Sequence, residues 1–342
     1  MTYRLRSHWI GLVLLAVSIA FLVSVPAWGS GYLKRTIVEF IYLLALAQAW
    51  NLMAGYGGML SIGQQGWLGI GAYALVVLAE DLGINPFLAI PLAGLVVAAL
   101  AWPSTLLLFR LRGAYFAVGT WVLAEVLRLA VTANIDWLGG AKGRSVRSLM
   151  NYDRFMRENL TYIVCLLLAA GGLAAIYFAL RSKTGLALTA IRDSEPGASG
   201  VGIKVLRTKR FVYVVASGFT GALGALIYAN LLSVSPDAAF SLNWTAYVIF
   251  IVVIGGVGTL EGPIIGTAVF FLLRQFLFGF QEWSLIIFGG IAVTVMIVAP
   301  QGLWGLVKQR FDFELLPVRR RLPARLITEP SAVRAADRLD PA

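Results

Sequence analysis

Gln48, Asn51, Ser61, Gln64 and Gln65 stand within or beside apolar stretches and carry amide and hydroxyl groups, which donate and accept hydrogen bonds without ionising. In that setting they can line a path for a polar solute without trapping ions, or they can bond across helices. Four charged residues are also embedded in apolar runs: Glu39, Glu125, Arg128 and Arg274. Charge in hydrocarbon is costly, so each needs a partner, a cavity or a route to the interface. Glu125 and Arg128 are three residues apart, hence on one helical face, and are expected to neutralise each other. Glu39 and Arg274 have no partner nearby in sequence and lie near span ends, where snorkelling is the expected solution.

Catalytic chemistry has little to work with. The sole histidine, His8, sits near the N-terminus, and the sole cysteine, Cys165, lies in the apolar run Tyr162 to Leu180. Triads, zinc sites and haem ligation therefore lose their usual ligands, and no intramolecular disulfide can form. A phosphate-binding loop is also missing, since Lys183-Thr184 lacks the required upstream glycine. The chain reads as a non-enzyme that binds no metal or cofactor of its own.

The elements that must position these residues are membrane helices. The 342 residues are 59% hydrophobic and 13% charged, with mean hydropathy +0.81, which places the chain among all-α polytopic membrane bundles. About 20 apolar residues cross a bilayer, which yields about ten expected spans, near 9–28, 37–53, 60–79, 87–109, 114–131, 160–180, 211–232, 244–258, 263–280 and 284–300. The apolar core of the first is longer than that of a secretory signal, so an uncleaved helix is expected. Ten spans put both termini on one side. Nineteen basic residues fall on that side and seven on the other, so both termini are expected in the cytoplasm. The net charge of +11 is read as topology and attraction to anionic lipid, not as a nucleic-acid surface. Residues 1–306 are expected to form the transmembrane unit and 307–342 a basic, disordered cytoplasmic tail.

Two glycine-rich passages interrupt this pattern. Gly55 to Gly71 holds seven glycines and no charge, and Ile254 to Gly266 echoes it through Gly58-Met-Leu60 and Gly258-Thr-Leu260. Irregular backbone at membrane depth survives only where protein buries it or it lines a polar cavity, and paired interruptions point to a transport site. The external loop, 132–159, is a partner-binding cap or a solvated connector. The cytoplasmic loop, 181–210, reads as two short helices, the second capped by Ser194 with Glu195 and Pro196 in its first turn and Gly202 as a stop. Leu186, Leu188, Ala190, Ile191, Val201 and Ile203 would leave an apolar patch there, suited to a partner groove or to the chain's own bundle.

Four blocks in order carry a resemblance: Asn51 to Tyr73, Thr184 to Glu195, Ala216 to Leu226 and Gly255 to Gly266. Together they resemble the LivM-type permease subunits of branched-chain amino acid ABC importers. That resemblance implies a bacterial inner-membrane subunit working with a second homologous permease, two cytoplasmic ATPase subunits and a periplasmic binding protein, with ATP used by the partner. It assigns docking on the ATPase to Gly185 through Gly202, with Gly185, Leu188, Ile191, Arg192, Glu195 and Gly202 as the expected coupling residues. Relatives often carry alanines where this chain has Pro196-Gly197-Ala198-Ser199-Gly200. Similar permeases import urea, amides or aromatic acids, which stand as alternative substrates. A secondary transporter or channel is the alternative class, for which the sparse membrane acids are a poor relay.

Overall fold

In the computed structural model, residues 17–277 and 283–311 are described. Arg4, Arg6, His8 and Trp9, and the tail beyond Phe311, lie outside the described residues. Helices dominate: α1 (Val17–Trp28), α2 (Gly31–Asn51), α3 (Gln64–Val76), α4 (Pro86–Leu108), α5 (Ala114–Ala133), α6 (Ile135–Leu138) and α7 (Arg154–Arg181). They continue with α8 (Lys183–Asp193), α9 (Glu195–Gly200), α10 (Val205–Leu231), α11 (Pro236–Ala239), α12 (Leu242–Gly255), α13 (Gly262–Phe276), α14 (Ser284–Val298) and α15 (Gly302–Phe311). Both α2 and α3 run on into a five-residue π-helical turn, Leu52–Tyr56 and Val77–Asp81.

Seven stretches among the described residues are long and apolar enough to cross a membrane: Gly31–Tyr56, Pro86–Leu108, Ala114–Ala133, Arg154–Arg181, Val205–Leu231, Pro236–Gly255 and Ile286–Gln309. Val17–Trp28 and Gly262–Phe276 are shorter apolar helices. The glycine-rich third segment becomes helical only at Gln64, because Gly57 to Gly63 is an irregular turn. The tail boundary expected at residue 306 falls inside α15, which carries Lys308 on a helix.

Close backbone approach organises the centre. α10 packs against α3 and α4 along small residues: a Cβ on Gly71 would overlap the Gly221 carbonyl, and one on Gly224 the carbonyl of Leu68. Small residues permit this because between apolar helices in lipid it is tight packing, not burial from water, that holds them together. Aromatic packing of Phe250, Phe270 and Phe288 fills the space between α12, α13 and α14. On the outer helices, Leu95 and Leu107 of α4, Val122 of α5, Leu167 of α7 and Ile297 of α14 are exposed, as lipid contact requires.

The two ends of the bundle gather different loops. At one end β1 (Arg144–Ser145) pairs antiparallel with β2 (Ser233–Val234), so the segment 132–159 is a folded cap with Val146 and Leu149 fully buried. Arg144 makes a bidentate pair with Asp81 at 2.6 and 2.8 Å, and its guanidinium holds the Asp81 carboxyl below the ordinary carboxylate value. Lys34 is buried against Asn159 at this end. The opposite end collects residues 109–114, α8, α9, the start of α10, the turn 256–261 and α15.

Candidate functional site

The two glycine-rich passages meet. Asn51, fully buried at the end of α2, donates from Nδ2 to the Thr259 carbonyl at 2.7 Å and accepts at Oδ1 from the Gly258 N–H at 2.8 Å. One turn earlier, Gln48 Nε2 donates to the Leu260 carbonyl at 2.5 Å. Two side-chain amides thus clamp three consecutive residues of the turn between α12 and α13. Gly58 and Gly258 both have φ in the left-handed region, 64° and 74°, which suits glycine. At Gly55 a side chain would overlap the backbone of Gly258.

Above this clamp runs a polar line through the core. Trp50 Nε1 donates to the Ser61 carbonyl at 2.8 Å, and the Ile62 N–H donates to Thr120 Oγ1 at 3.0 Å. Gln64 Nε2 donates to Thr220 Oγ1 at 2.5 Å, and Thr245 donates to Gln65 Oε1. Ser61, Gln64 and Gln65 are each at most 3% exposed. None of the five polar residues expected on a pathway lines either large cavity, and each sits at a helix junction in this conformation. The Oε1 atoms of Gln48 and Gln64 have no hydrogen-bond partner among the described residues. Sequence reading missed the hydroxyl partners Thr120, Thr220 and Thr245, because lone threonines in apolar runs carry no spacing signal.

Beneath the clamp, α8 and α9 have the expected form. Ser182 caps α8 by accepting from the Thr184 N–H, and Ser194 caps α9 by accepting from the Gly197 N–H. Gly202 ends the pair with φ of 84°. The apolar patch divides between its two expected roles: Leu188 and Ile191 are buried against the bundle, at 0% and 2% exposure, while Leu186 and Val201 remain exposed. Gly185, Leu188 and Ile191 recur every three residues, so they share the face turned to the bundle. There Leu188 lies beside Gly57, and Gly185 sits against the Leu180 carbonyl with no room for a Cβ. Arg192 reaches upward, donating from Nη1 to the Gly55 carbonyl at 3.1 Å, while its stem covers Gly58 and its Nη1 lies beside Gly258. Glu195 pairs with Lys209 and remains half-exposed.

The embedded charges are all paired. Arg128 bonds Glu125 through Nε and Nη2 at 2.9 and 2.6 Å and also reaches Asp237 at 2.9 Å. Arg274 pairs with Glu39 across α13 and α2, so the snorkelling expected of these two is replaced by an ion pair between residues 235 positions apart. No group of metal-ligating side chains occurs among the described residues.

Comparison with known proteins adds sequence relationships to this geometry. A family profile described as branched-chain amino acid transport system / permease component matches residues 32–299. The chain is 30% identical to the high-affinity branched-chain amino acid transport system permease protein LivM of Salmonella typhimurium, over 92% of this chain and 78% of the relative. It is 29% identical to the Escherichia coli LivM protein over the same shares. A probable branched-chain amino acid transport permease protein LivH of Methanocaldococcus jannaschii is 23% identical over 69% of this chain and 80% of that protein. No solved structure matches.

Proposed function

The chain belongs to the family of branched-chain amino acid transport permease components, and from that membership we propose how it works as the permease subunit of an ABC importer. In this reading it translocates leucine-like amino acids across a bacterial inner membrane, with the 181–210 loop in the cytoplasm. The concentration of basic residues at the end holding α8, α9 and α15 supports that orientation. ATP is hydrolysed by a separate subunit that docks on α8 and α9, a second permease completes the pathway, and a periplasmic binding protein delivers the solute.

One observation carries the coupling mechanism: Arg192 of α8 is bonded to Gly55, in the π-helical turn that follows α2, and lies beside Gly258 in the clamped turn. A displacement of α8 by the ATPase must pull on both glycine-rich passages, because Asn51 and Gln48 tie one to the other. The bonded Gln–Thr pairs Gln64–Thr220 and Gln65–Thr245 then exchange partners, and the free Gln48 and Gln64 oxygens offer acceptors to the solute or its water. Neutral amides suit a zwitterion, which they can hold briefly without a trapping charge.

Affinity purification of the tagged chain from native membranes tests the assembly. Recovery of a second permease and an ATPase subunit, with an Arg192→Glu variant that keeps both but no longer couples ATP hydrolysis to uptake, supports the reading. Purification of the chain alone, fully active in uptake, contradicts it.

A further inference from the structure

A cleft of about 1030 Å³ opens at the α8–α9 end, between α9, the start of α10 and the connection from α4 to α5. Its rim carries Arg112, Lys204 and Arg207, all exposed and without an ion-pair partner among the described residues. The one acid in the lining, Glu195, is already neutralised by Lys209. The floor is apolar: Phe109, Phe116 and Ala117 belong to α4 and α5 or their junction, and Leu206 to α10. Next to it in sequence, Tyr115 and Val118 of α5 are exposed.

We propose that this cleft binds an anionic phospholipid of the inner leaflet, with its phosphate held by Arg112, Lys204 and Arg207 and an acyl chain laid over Phe109 and Phe116. Basic pockets beside transmembrane helices on the cytoplasmic side suit such headgroups. The apolar floor of Phe109, Phe116 and Leu206 favours an amphiphile over an acidic side chain of a protein partner or a free phosphate. The bound lipid would bridge α9 to α5 and so brace the helices on which the ATPase docks. The inference rests on the orientation proposed above.

Native mass spectrometry of the full chain released from mixed phosphatidylglycerol and phosphatidylcholine micelles tests it. Wild type is expected to retain one phosphatidylglycerol. Combined Arg112→Gln, Lys204→Gln and Arg207→Gln substitution should lower retention roughly tenfold or more. Ser199→Trp, which fills the cleft from α9 and leaves the charges in place, should do the same. Neutralising Arg319, Arg320 and Arg321 in the tail should change nothing. Equal retention of phosphatidylcholine, displacement by millimolar inorganic phosphate, or retention in both cleft variants would overturn the proposal. So would cleft variants that keep the lipid and instead lose an ATPase subunit. Orientation is checked separately: a Ser199→Cys thiol labelled only from outside right-side-out vesicles would overturn the topology whatever the lipid result.

Discussion

Asn51 and Gly258 are joined across 207 positions of sequence by a hydrogen bond of 2.8 Å from the Gly258 N–H to the Asn51 side-chain oxygen. The same amide donates to Thr259, so one buried side chain fixes the geometry of the turn between two helices. Asn51→Ala leaves a part-buried N–H and a part-buried carbonyl without their partner, at up to about 1–3 kcal/mol each. Its thermal unfolding midpoint in detergent should fall clearly and uptake should drop with it. Asn51→Asp should be worse, since it keeps the acceptor but loses the donor and adds a buried charge. Wild-type unfolding of Asn51→Ala would show that the clamp contributes nothing.

Gly71 and Gly171 form a matched contrast. A methyl at Gly71 meets the Gly221 carbonyl, whereas one at Gly171 meets nothing within 4 Å. Gly71→Ala should lose about 1–3 kcal/mol or fail to accumulate in the membrane. Gly171→Ala should be neutral or gain up to ~1 kcal/mol from helix propensity. Folded yield by fluorescence-detected gel filtration separates the two.

Much of this was legible in sequence, and the limits have physical causes. The caps Ser182 and Ser194 act within a few residues, and Ser194 and the stop at Gly202 were read correctly because capping is local. The echo of Gly58 and Gly258 pointed to a pairing, although only the folded chain shows Asn51 as the link. For Leu188 and Ile191 the sequence leaves a partner groove and the chain's own bundle both open, and their spacing from Gly185 places them on one face; which face turns inward depends on Gly57, over 100 residues away. The partners of Glu39 and Gln64 lie 235 and 156 positions distant, beyond any local pattern.

Arg274→Leu would strand Glu39 in an apolar setting, and Glu39→Gln on the same background should restore part of the loss. Expression level and unfolding midpoint of the two single variants and the double variant make up the required cycle. Strictly additive losses would show that the pair does not interact.

Asp81 supplies a pH test at the opposite end. Its carboxyl titrates below the ordinary value of 3.8, first because Arg144 donates hydrogen bonds to it. A depressed pKa means stability that is present above 3.8 and lost as pH falls through the folded-state value. The unfolding midpoint of wild type should exceed that of Asp81→Asn near neutrality and converge with it in acid below 3.8. A constant gap down to that range would remove the pair from the stability account.

Arg192 separates tether from charge. Arg192→Lys keeps the charge but cannot keep the same planar reach to the Gly55 carbonyl, so solute uptake should fall several-fold while ATP hydrolysis by the assembled complex continues. Arg192→Glu should break coupling outright. Normal coupling in both variants would take this residue out of the mechanism.

The central claim concerns where the energy enters. The chain should be reconstituted in proteoliposomes with its second permease and ATPase subunit, with binding protein and labelled leucine supplied outside. Accumulation is expected only with ATP and the ATPase subunit present, and none with this chain alone. Leucine accumulation by the chain without an ATPase subunit would contradict the account.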